Sequence, residues 1–365
     1  MLENKYEILF NLRYNILYYV ASFITFFFVI EFYFRGKVYD KLQSLLLGVL
    51  VIFVILLFGT RGEFVGIDTF NNIKYFTGSA YIKSLGDLKD IGIYFISVFA
   101  SLYTDNIDVF LTMMAILYVV PIYKAIHKMD VRNPLIFFMF LFSLFFFKTM
   151  GMNTIRQGIA FSIFLYSLII FLKGKKAYSY ILFILSFFFH ASIIIPIIVF
   201  FIAIKVKKLK LPFIVYIVCT ILSILNFKAN TLLGQIPIVN ILVEERLESY
   251  YIDKGNYRIG FRADFWLFNT IFAVIGFVTF KNIKRFRISF INKYYYYFYV
   301  TYLFLSSFFF LMFSARFSDR FGFLSWMFIP LLLLPYAQDR VKVGLLNTLT
   351  VFLICVFLAT IFKFI

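Results

Sequence analysis

The chain is poor in the residues that form disulfides and bind metals. Its 365 residues include two cysteines and two histidines, and Cys219 and Cys355 lie far apart in apolar segments. The sequence has no Cys-x-x-Cys pair and no Cys/His cluster, which argues against a disulfide framework or a structural zinc site. The 18 acidic residues form no cluster typical of a divalent cation site. We therefore expect no metal and no other cofactor.

Polar sequence is also scarce, and this scarcity sets the class of protein. Hydrophobic residues make up 63% of the chain, and the mean hydropathy is +0.92. Many apolar segments reach the roughly 17–25 residues needed to cross a bilayer as a helix. The runs are continuous, without the alternation of membrane β-strands. The sequence therefore predicts an all-α, polytopic integral membrane protein, with residues 1–365 forming a single transmembrane domain.

We predict about twelve membrane-crossing segments. They lie near residues 14–34, 42–60, 107–123, 134–150, 156–172, 177–190, 191–204, 211–229, 265–280, 294–313, 321–336 and 342–362. Segments 177–190 and 191–204 are short and form one helical hairpin, because basic clusters flank the pair on one side. The apolar stretch 91–104 is too short for a full crossing, so we expect a re-entrant helix there.

The distribution of charge gives the orientation. The net charge of +18 might suit nucleic acid, but the basic residues sit in short loops between apolar runs. Loops on one side carry 20 Lys and Arg against four acids, so that side is cytoplasmic by the positive-inside rule. No nucleic acid partner is expected. The other side carries a first external loop at 61–106 and a long external, periplasmic loop at 230–264.

Three short polar segments interrupt the apolar sequence, at residues 61–69, 156–157 and 190–192. The predicted topology places all three at the external ends of their spans. Ionisable groups at such depth are costly and usually mark function. Each also has a plain structural alternative. Arg61 could extend to the lipid headgroups, Asp68 could cap the next helix, Arg156 could simply start a helix, and His190 could be a satisfied core residue.

Arginine is enriched on the external side, where it accounts for 8 of 16 basic residues against 5 of 20 inside. Its planar fork suits phosphate and carboxylate oxygens, whereas lysine is a solvated point charge. The external set indicates a receptor for a multiply charged anion. Its main members are Arg61, Arg156, Arg258, Arg262, Arg316 and Arg320. Asp319, which lies between the last two, could form a local ion pair with them.

The order and spacing of these polar residues carry a family resemblance. Arg61-x4-Gly66-x-Asp68-Thr69, then Arg156-Gln157, then His190-x-Ser192 resembles the EpsG/Wzy family of O-antigen and exopolysaccharide polymerases. The stretch 90–94, Asp-Ile-Gly-Ile-Tyr, is also similar to that family. The resemblance is specific over about residues 45–205.

The resemblance implies a GT-C-like membrane glycosyltransferase in the bacterial inner (plasma) membrane, with its active site facing the periplasm. Such an enzyme polymerises undecaprenyl-diphosphate-linked repeat units by inversion, without a metal, and releases undecaprenyl diphosphate. Its partners would be the lipid-linked glycan donor and acceptor and the lipid bilayer. A protein that regulates chain length is left open.

The same reasoning assigns roles to individual residues. His190 is our first candidate for the general base and Asp68 the second, while Arg61 assists catalysis. The diphosphate would be held by Arg61, Arg156, Arg316 and Arg320. Contacts to the sugars are assigned to Gln157, Thr69, Ser192, Asp319, Tyr250, Tyr251, Tyr257, Arg258 and Arg262.

Two other functions use the same class of substrate. An O-antigen ligase takes the same donor but transfers it to a lipid A-core acceptor. A lipid-linked oligosaccharide flippase or transporter would suit twelve crossings, but the sequence has no internal repeat and no matching pair of broken helices. The pattern at 61–69 and 156–157 favours a polymerase.

Overall fold

The structure is a computed structural model that describes residues 2–35, 40–66, 68–78, 91–131, 133–227, 259–285, 289–315, 318–337 and 356. Every regular element in this part of the chain is helical, which confirms the predicted all-α class. The first eleven helices are α1 Leu2–Arg35, α2 Asp40–Gly59, α3 Thr69–Phe76, α4 Ile91–Ser101, α5 Ile107–Lys128, α6 Pro134–Phe142, α7 Phe145–Met152, α8 Ile155–Leu172, α9 Lys176–Phe189, α10 Ile194–Lys205 and α11 Lys210–Ile224. The remaining four are α12 Ala263–Lys281, α13 Ser289–Leu311, α14 Asp319–Trp326 and α15 Ile329–Leu333.

Five helical segments in the described residues are long and apolar enough to cross a membrane: Lys41–Gly59, Ile107–Lys128, Ile155–Leu172, Ala263–Lys281 and Lys293–Ser314. The bent pair α6 and α7 would make a sixth. These helices support a multi-pass membrane protein, and the total of twelve crossings stays a prediction. Residues 342–362, apart from residue 356, and most of loop 230–264 lie outside the described residues. The predicted re-entrant segment 91–104 contains the short apolar helix α4.

Two apolar runs that we predicted as single spans are broken. The run 134–150 bends by 75° between α6 and α7, where Leu144 adopts an extended backbone. The run 321–336 divides into α14, α15 and a 3-10 turn. Pro330 lacks the N–H that would continue α14 across this point. Continuous hydropathy therefore does not mean a continuous helix in either place.

The chain forms two compact units. The first comprises residues 1–193, 286–290 and 333–365, and the second comprises 194–285 and 291–332. In the first unit, α8 is the central helix and is buried along most of its length, packed between α5 and α9.

The α8–α9 hairpin has a well-defined register. The Ser167 hydroxyl donates to the Ser179 carbonyl at 2.7 Å, and the Ser179 hydroxyl donates to the Ser167 carbonyl at 2.8 Å. The two serines therefore lie opposite each other in antiparallel helices. Arg156 lies eleven residues before Ser167, and His190 lies eleven residues after Ser179. Equal rise along both helices brings Arg156 and His190 to the same level.

The second unit is held together around Asn269 of α12. The Ser306 hydroxyl donates to its side-chain oxygen at 2.9 Å, and the Tyr302 hydroxyl donates to its backbone carbonyl at 2.8 Å. The Ser325 hydroxyl reaches the same side-chain oxygen at 3.3 Å. Hydrogen bonds of this kind join helices in an apolar solvent, where burial of hydrocarbon provides little driving force.

Candidate functional site

The first polar segment forms a loop that lies against the turn before α8. Gly66 has a φ of +94°, and a Cβ added there would lie 2.8 Å from the Asn153 side-chain oxygen and 3.0 Å from the Met152 carbonyl. The Thr69 hydroxyl donates to the Val65 carbonyl at 2.7 Å and lies 3.3 Å from the Met152 carbonyl. The first polar segment therefore lies against residues 152–153, just before the second polar segment.

Arg61 is buried within this loop, with 4% of its surface exposed. Its Nη1 donates to the Phe58 carbonyl at 2.5 Å, and its Nη2 donates to the Thr69 hydroxyl at 3.4 Å. This position excludes the alternative in which Arg61 extends to the lipid headgroups. Burial lowers the pKa of Arg61 from its ordinary value to about 10, with a smaller opposing effect of Asp108. The guanidinium is therefore still charged at neutral pH.

Several buried polar atoms around this loop have no hydrogen-bond partner among the described residues. They are the Nε of Arg61, both side-chain amide atoms of Asn72, and the hydroxyl of Thr154. Unpaired buried donors and acceptors are expensive, so a cluster of them indicates a place where a polar ligand binds. Neither Asn72 nor Thr154 was predicted as a site residue. Asn72 lies three residues after Thr69, on the same face of α3, which was the signal available for it.

The N-terminus of α8 brings further groups to the same place. Thr154 is its N-cap residue but makes no side-chain capping bond. Arg156 is half-buried and Gln157 is buried, both in the first turn. A helix N-terminus presents backbone N–H groups and the positive end of the helix dipole, which together favour an anion. With Arg156 and the Thr154 hydroxyl beside it, this helix end has the chemistry of a phosphate site.

The third polar segment pairs His190 with Ser192. The ring Nδ1 of His190 lies 2.7 Å from the Ser192 hydroxyl and accepts the Ser192 backbone N–H at 3.3 Å. A neutral ring whose Nδ1 accepts a hydrogen bond carries its own hydrogen on Nε2. The nitrogen able to take up a proton is therefore Nδ1, next to the Ser192 hydroxyl.

The helix α4 links the third segment to the rest of the site. It packs against α3 on one side and α9 on the other. A Cβ added to Gly92 would lie 3.0 Å from the Phe188 carbonyl and from the Phe189 ring, so α4 begins at the end of α9. Together with the register of the α8–α9 hairpin, this packing gathers all three polar segments at one end of the first unit.

Asp68 lies between Gly66 and Thr69 in this arrangement. It occupies the N-cap position of α3, but its side chain makes no capping hydrogen bond. The capping alternative for Asp68 is therefore wrong. The carboxylate is half-buried and stays the second candidate for a base.

The remaining predicted site residues belong to the second unit or lie outside the described residues. Arg262 donates through Nε and Nη2 to the two carboxylate oxygens of Asp264, at 3.0 and 2.6 Å, and stacks 4.2 Å over the Phe265 ring. Asp319 and Arg320 begin α14 and are half-buried. Predicted site residues outside the described part of the chain are Tyr250, Tyr251, Tyr257, Arg258 and Arg316. Their roles stay predictions.

Described residues of the first unit line an apolar groove and a smaller polar cavity. An apolar groove of about 360 Å³ runs between α1 and α2, with Arg13 in its wall. A smaller cavity of about 200 Å³ lies between α1 and α7 and is lined by charged, polar and aromatic side chains, including Glu7 and Lys148. In the described part of the chain, no three Cys, His, Asp or Glu side chains are close enough to hold a metal ion.

Comparison with known proteins gives one match. The model of the EpsG family matches residues 44–365, which takes in all three polar segments, the second unit and the first unit from residue 44 onward. No curated protein and no solved structure shows significant similarity to the chain.

Proposed function

The chain belongs to the EpsG family, and from this premise we propose that it is a membrane glycosyltransferase that polymerises lipid-linked glycan. The donor is a glycan on undecaprenyl diphosphate, and the acceptor is the terminal sugar of another lipid-linked repeat unit. The reaction takes place on the periplasmic face of the bacterial inner membrane. The single observation that carries the proposal is the convergence of the three polar segments at the N-terminus of α8.

The donor diphosphate would bind at that helix end. Arg156 is the more accessible of the two arginines there, since Arg61 is buried and uses both terminal nitrogens within the protein. Arg61 would contribute its charge and its unpartnered Nε–H, and Thr154 its hydroxyl. Fixed donors aimed at developing negative charge are usually the largest contribution to catalysis.

The transfer would be a single displacement with inversion at the anomeric carbon. The acceptor hydroxyl oxygen forms the new glycosidic bond, while the bond from the anomeric carbon to the diphosphate oxygen breaks. The electron pair leaves with undecaprenyl diphosphate. The hydroxyl proton passes to Nδ1 of His190, directly or through the Ser192 hydroxyl that lies 2.7 Å from that nitrogen. Histidine is the side chain that most often serves as a general base in enzymes.

The groove between α1 and α2 fits the remaining part of the donor. Its wall is formed by apolar side chains of both helices, with one cation, Arg13. A polyprenyl chain needs an apolar channel, and its phosphates need positive charge at the surface.

The test is deletion of the gene followed by gel analysis of the surface glycan and of the lipid-linked pool. A polymerase defect leaves glycan one repeat unit long. Polymer that accumulates on its lipid carrier, with none on the lipid core, would indicate a ligase instead. Intermediates that stay on the cytoplasmic face would indicate a flippase. Complementation with His190→Ala should leave the single-repeat pattern while the protein is inserted at the normal level.

A further inference from the structure

The cavity between α1 and α7 has a polar interior that the proposed reaction does not use. It is lined by Glu7 and Asn11 of α1 and by Lys148 and Thr149 of α7, with the Tyr14 ring beside them. Glu7, Asn11 and Tyr14 are spaced by four and three residues, so they share one face of α1. The cavity thus joins a charged pair, an amide, a hydroxyl and an aromatic ring.

The wall of this cavity is held in a defined geometry. Lys148 donates to the side-chain oxygen of Asn11 at 2.5 Å and lies 5.3 Å from the centre of the Tyr14 ring. Tyr14 donates to the Phe142 carbonyl at 3.5 Å, and the Tyr18 hydroxyl lies 2.8 Å from that of Ser143. These contacts bind α1 to the break between α6 and α7, where Phe142, Ser143 and Leu144 also line the cavity.

The lining fits a neutral sugar better than a phosphate. The ammonium and the amide can donate to sugar hydroxyls, the carboxylate and the amide oxygen can accept from them, and the tyrosine ring can pack against C–H groups. Glu7 would repel a phosphate, and Lys148 already has neighbouring acceptors. The volume of about 200 Å³ is below the roughly 300–1,000 Å³ of sites for drug-sized ligands. It suits a single sugar ring.

We propose that this cavity binds one neutral sugar residue of the acceptor glycan and thereby selects the acceptor. The proposal rests on the proposed polymerase function. Met152 lines the cavity, and its backbone carbonyl lies 3.3 Å from the Thr69 hydroxyl. The cavity therefore borders the cluster at the start of α8. An acceptor held there would have its reacting end next to the donor site.

The position of α1 in the sequence supports a role in selection. The family match begins at residue 44, so the wall formed by α1 comes from a segment outside it. When one wall of a site lies inside the family match and the other lies outside it, the sugar that the site accepts can change without a change in the reaction.

The probe for the test is the oligosaccharide released by mild acid from the lipid-linked precursor of cells that lack this chain. Its binding to the purified full-length protein in nanodiscs is measured by saturation-transfer NMR. Glu7→Gln replaces one acceptor oxygen by an NH2 donor, and Asn11→Ala removes the amide; each should weaken binding by about tenfold, as expected for the loss of one hydrogen bond of about 1.4 kcal/mol. Ile8→Ala is the matched control, because Ile8 lies on the same helix with 61% of its surface exposed.

A second assay measures polymer formation with the released oligosaccharide as a soluble acceptor and the lipid-linked glycan as donor. Glu7→Gln should raise the KM for the acceptor and leave the KM for the donor unchanged. Glu7 is exposed, so this variant should fold even if Asn11→Ala does not. Wild-type binding in both variants would overturn the cavity proposal. If the protein binds the oligosaccharide in a Glu7-dependent way but forms no polymer, the cavity proposal stands and the proposed polymerase function is refuted.

Discussion

Arg61 gives the sharpest test of the catalytic proposal, because its charge can be removed with only a modest expected change in the stability of the protein. Arg61→Met removes the charge and keeps most of the side-chain volume. The Thr69 hydroxyl still has the Val65 carbonyl as an acceptor at 2.7 Å. The Phe58 carbonyl, at the end of α2, is the group that loses a donor.

The expected change in stability is modest. The fall in the pKa of Arg61 from its ordinary value to about 10 corresponds to a burial cost of about 3 kcal/mol, since a tenfold change in acidity is about 1.4 kcal/mol. The two charged hydrogen bonds are each worth about 1.5–3 kcal/mol, so together they roughly offset that cost or exceed it by up to about 3 kcal/mol. The variant should therefore fold and insert. Its polymerisation rate should fall by about 10²–10³, the usual loss when one fixed donor to a developing anion is removed.

The assay is polymer formation by purified protein in nanodiscs, normalised to the amount of folded protein on size exclusion. Arg61→Lys is the control that keeps the positive charge. Lysine starts from a lower ordinary pKa than arginine, and the same burial lowers that pKa further, because burial disfavours the charged form. Rescue by lysine should therefore be larger in mildly acidic than in alkaline buffer. A normal rate for Arg61→Met at full folded yield would refute the electrostatic role.

Three further substitutions test the geometry of the site. Gly66→Ala would place a Cβ 2.8 Å from the turn before α8, so polymer formation should fall at least tenfold. Gly62→Ala is the control, because Gly62 also has a positive φ but lies in open space, and this substitution should cost only the backbone strain of about 1–2 kcal/mol. Equal losses of polymer in the two variants would contradict this prediction. Ser192→Ala should reduce the polymerisation rate less than His190→Ala does. It should also shift the acidic limb of the pH–rate profile, because the Ser192 hydroxyl touches Nδ1 of His190. An unchanged profile would argue against His190 as the base. Gly92→Ala should lower polymer formation by moving α4 away from the end of α9, as judged by activity per folded molecule.

Much of this molecule was predictable from local sequence. Apolar runs gave the helical membrane class, and the polar segments gave the three places that converge. The spacing Arg61-x4-Gly66-x-Asp68-Thr69 identified the family that the match over residues 44–365 shows. These features were accessible because hydropathy and motif spacing are properties of neighbouring residues.

The breaks within apolar runs were not predictable in the same way. The segment 134–150 reads as one span, yet it bends by 75°. The break is held by Tyr14, which lies 128 residues from its carbonyl partner Phe142, and by Tyr18, which lies 125 residues from Ser143. No window of local sequence contains both partners of such a contact.

The sequence by itself determined that this chain is a helical membrane protein with ionisable groups at the ends of its spans. Only the tertiary structure decided which of those groups are buried and what they contact. By sequence alone Arg61 could also extend to the lipid headgroups, but packing buries it and leaves its Nε unpartnered among the described residues. Asn72 and Thr154 carry no motif, and they become candidates because the loop and α8 enclose them. Burial and pairing depend on segments far apart in the chain, so they arise only when the helices pack.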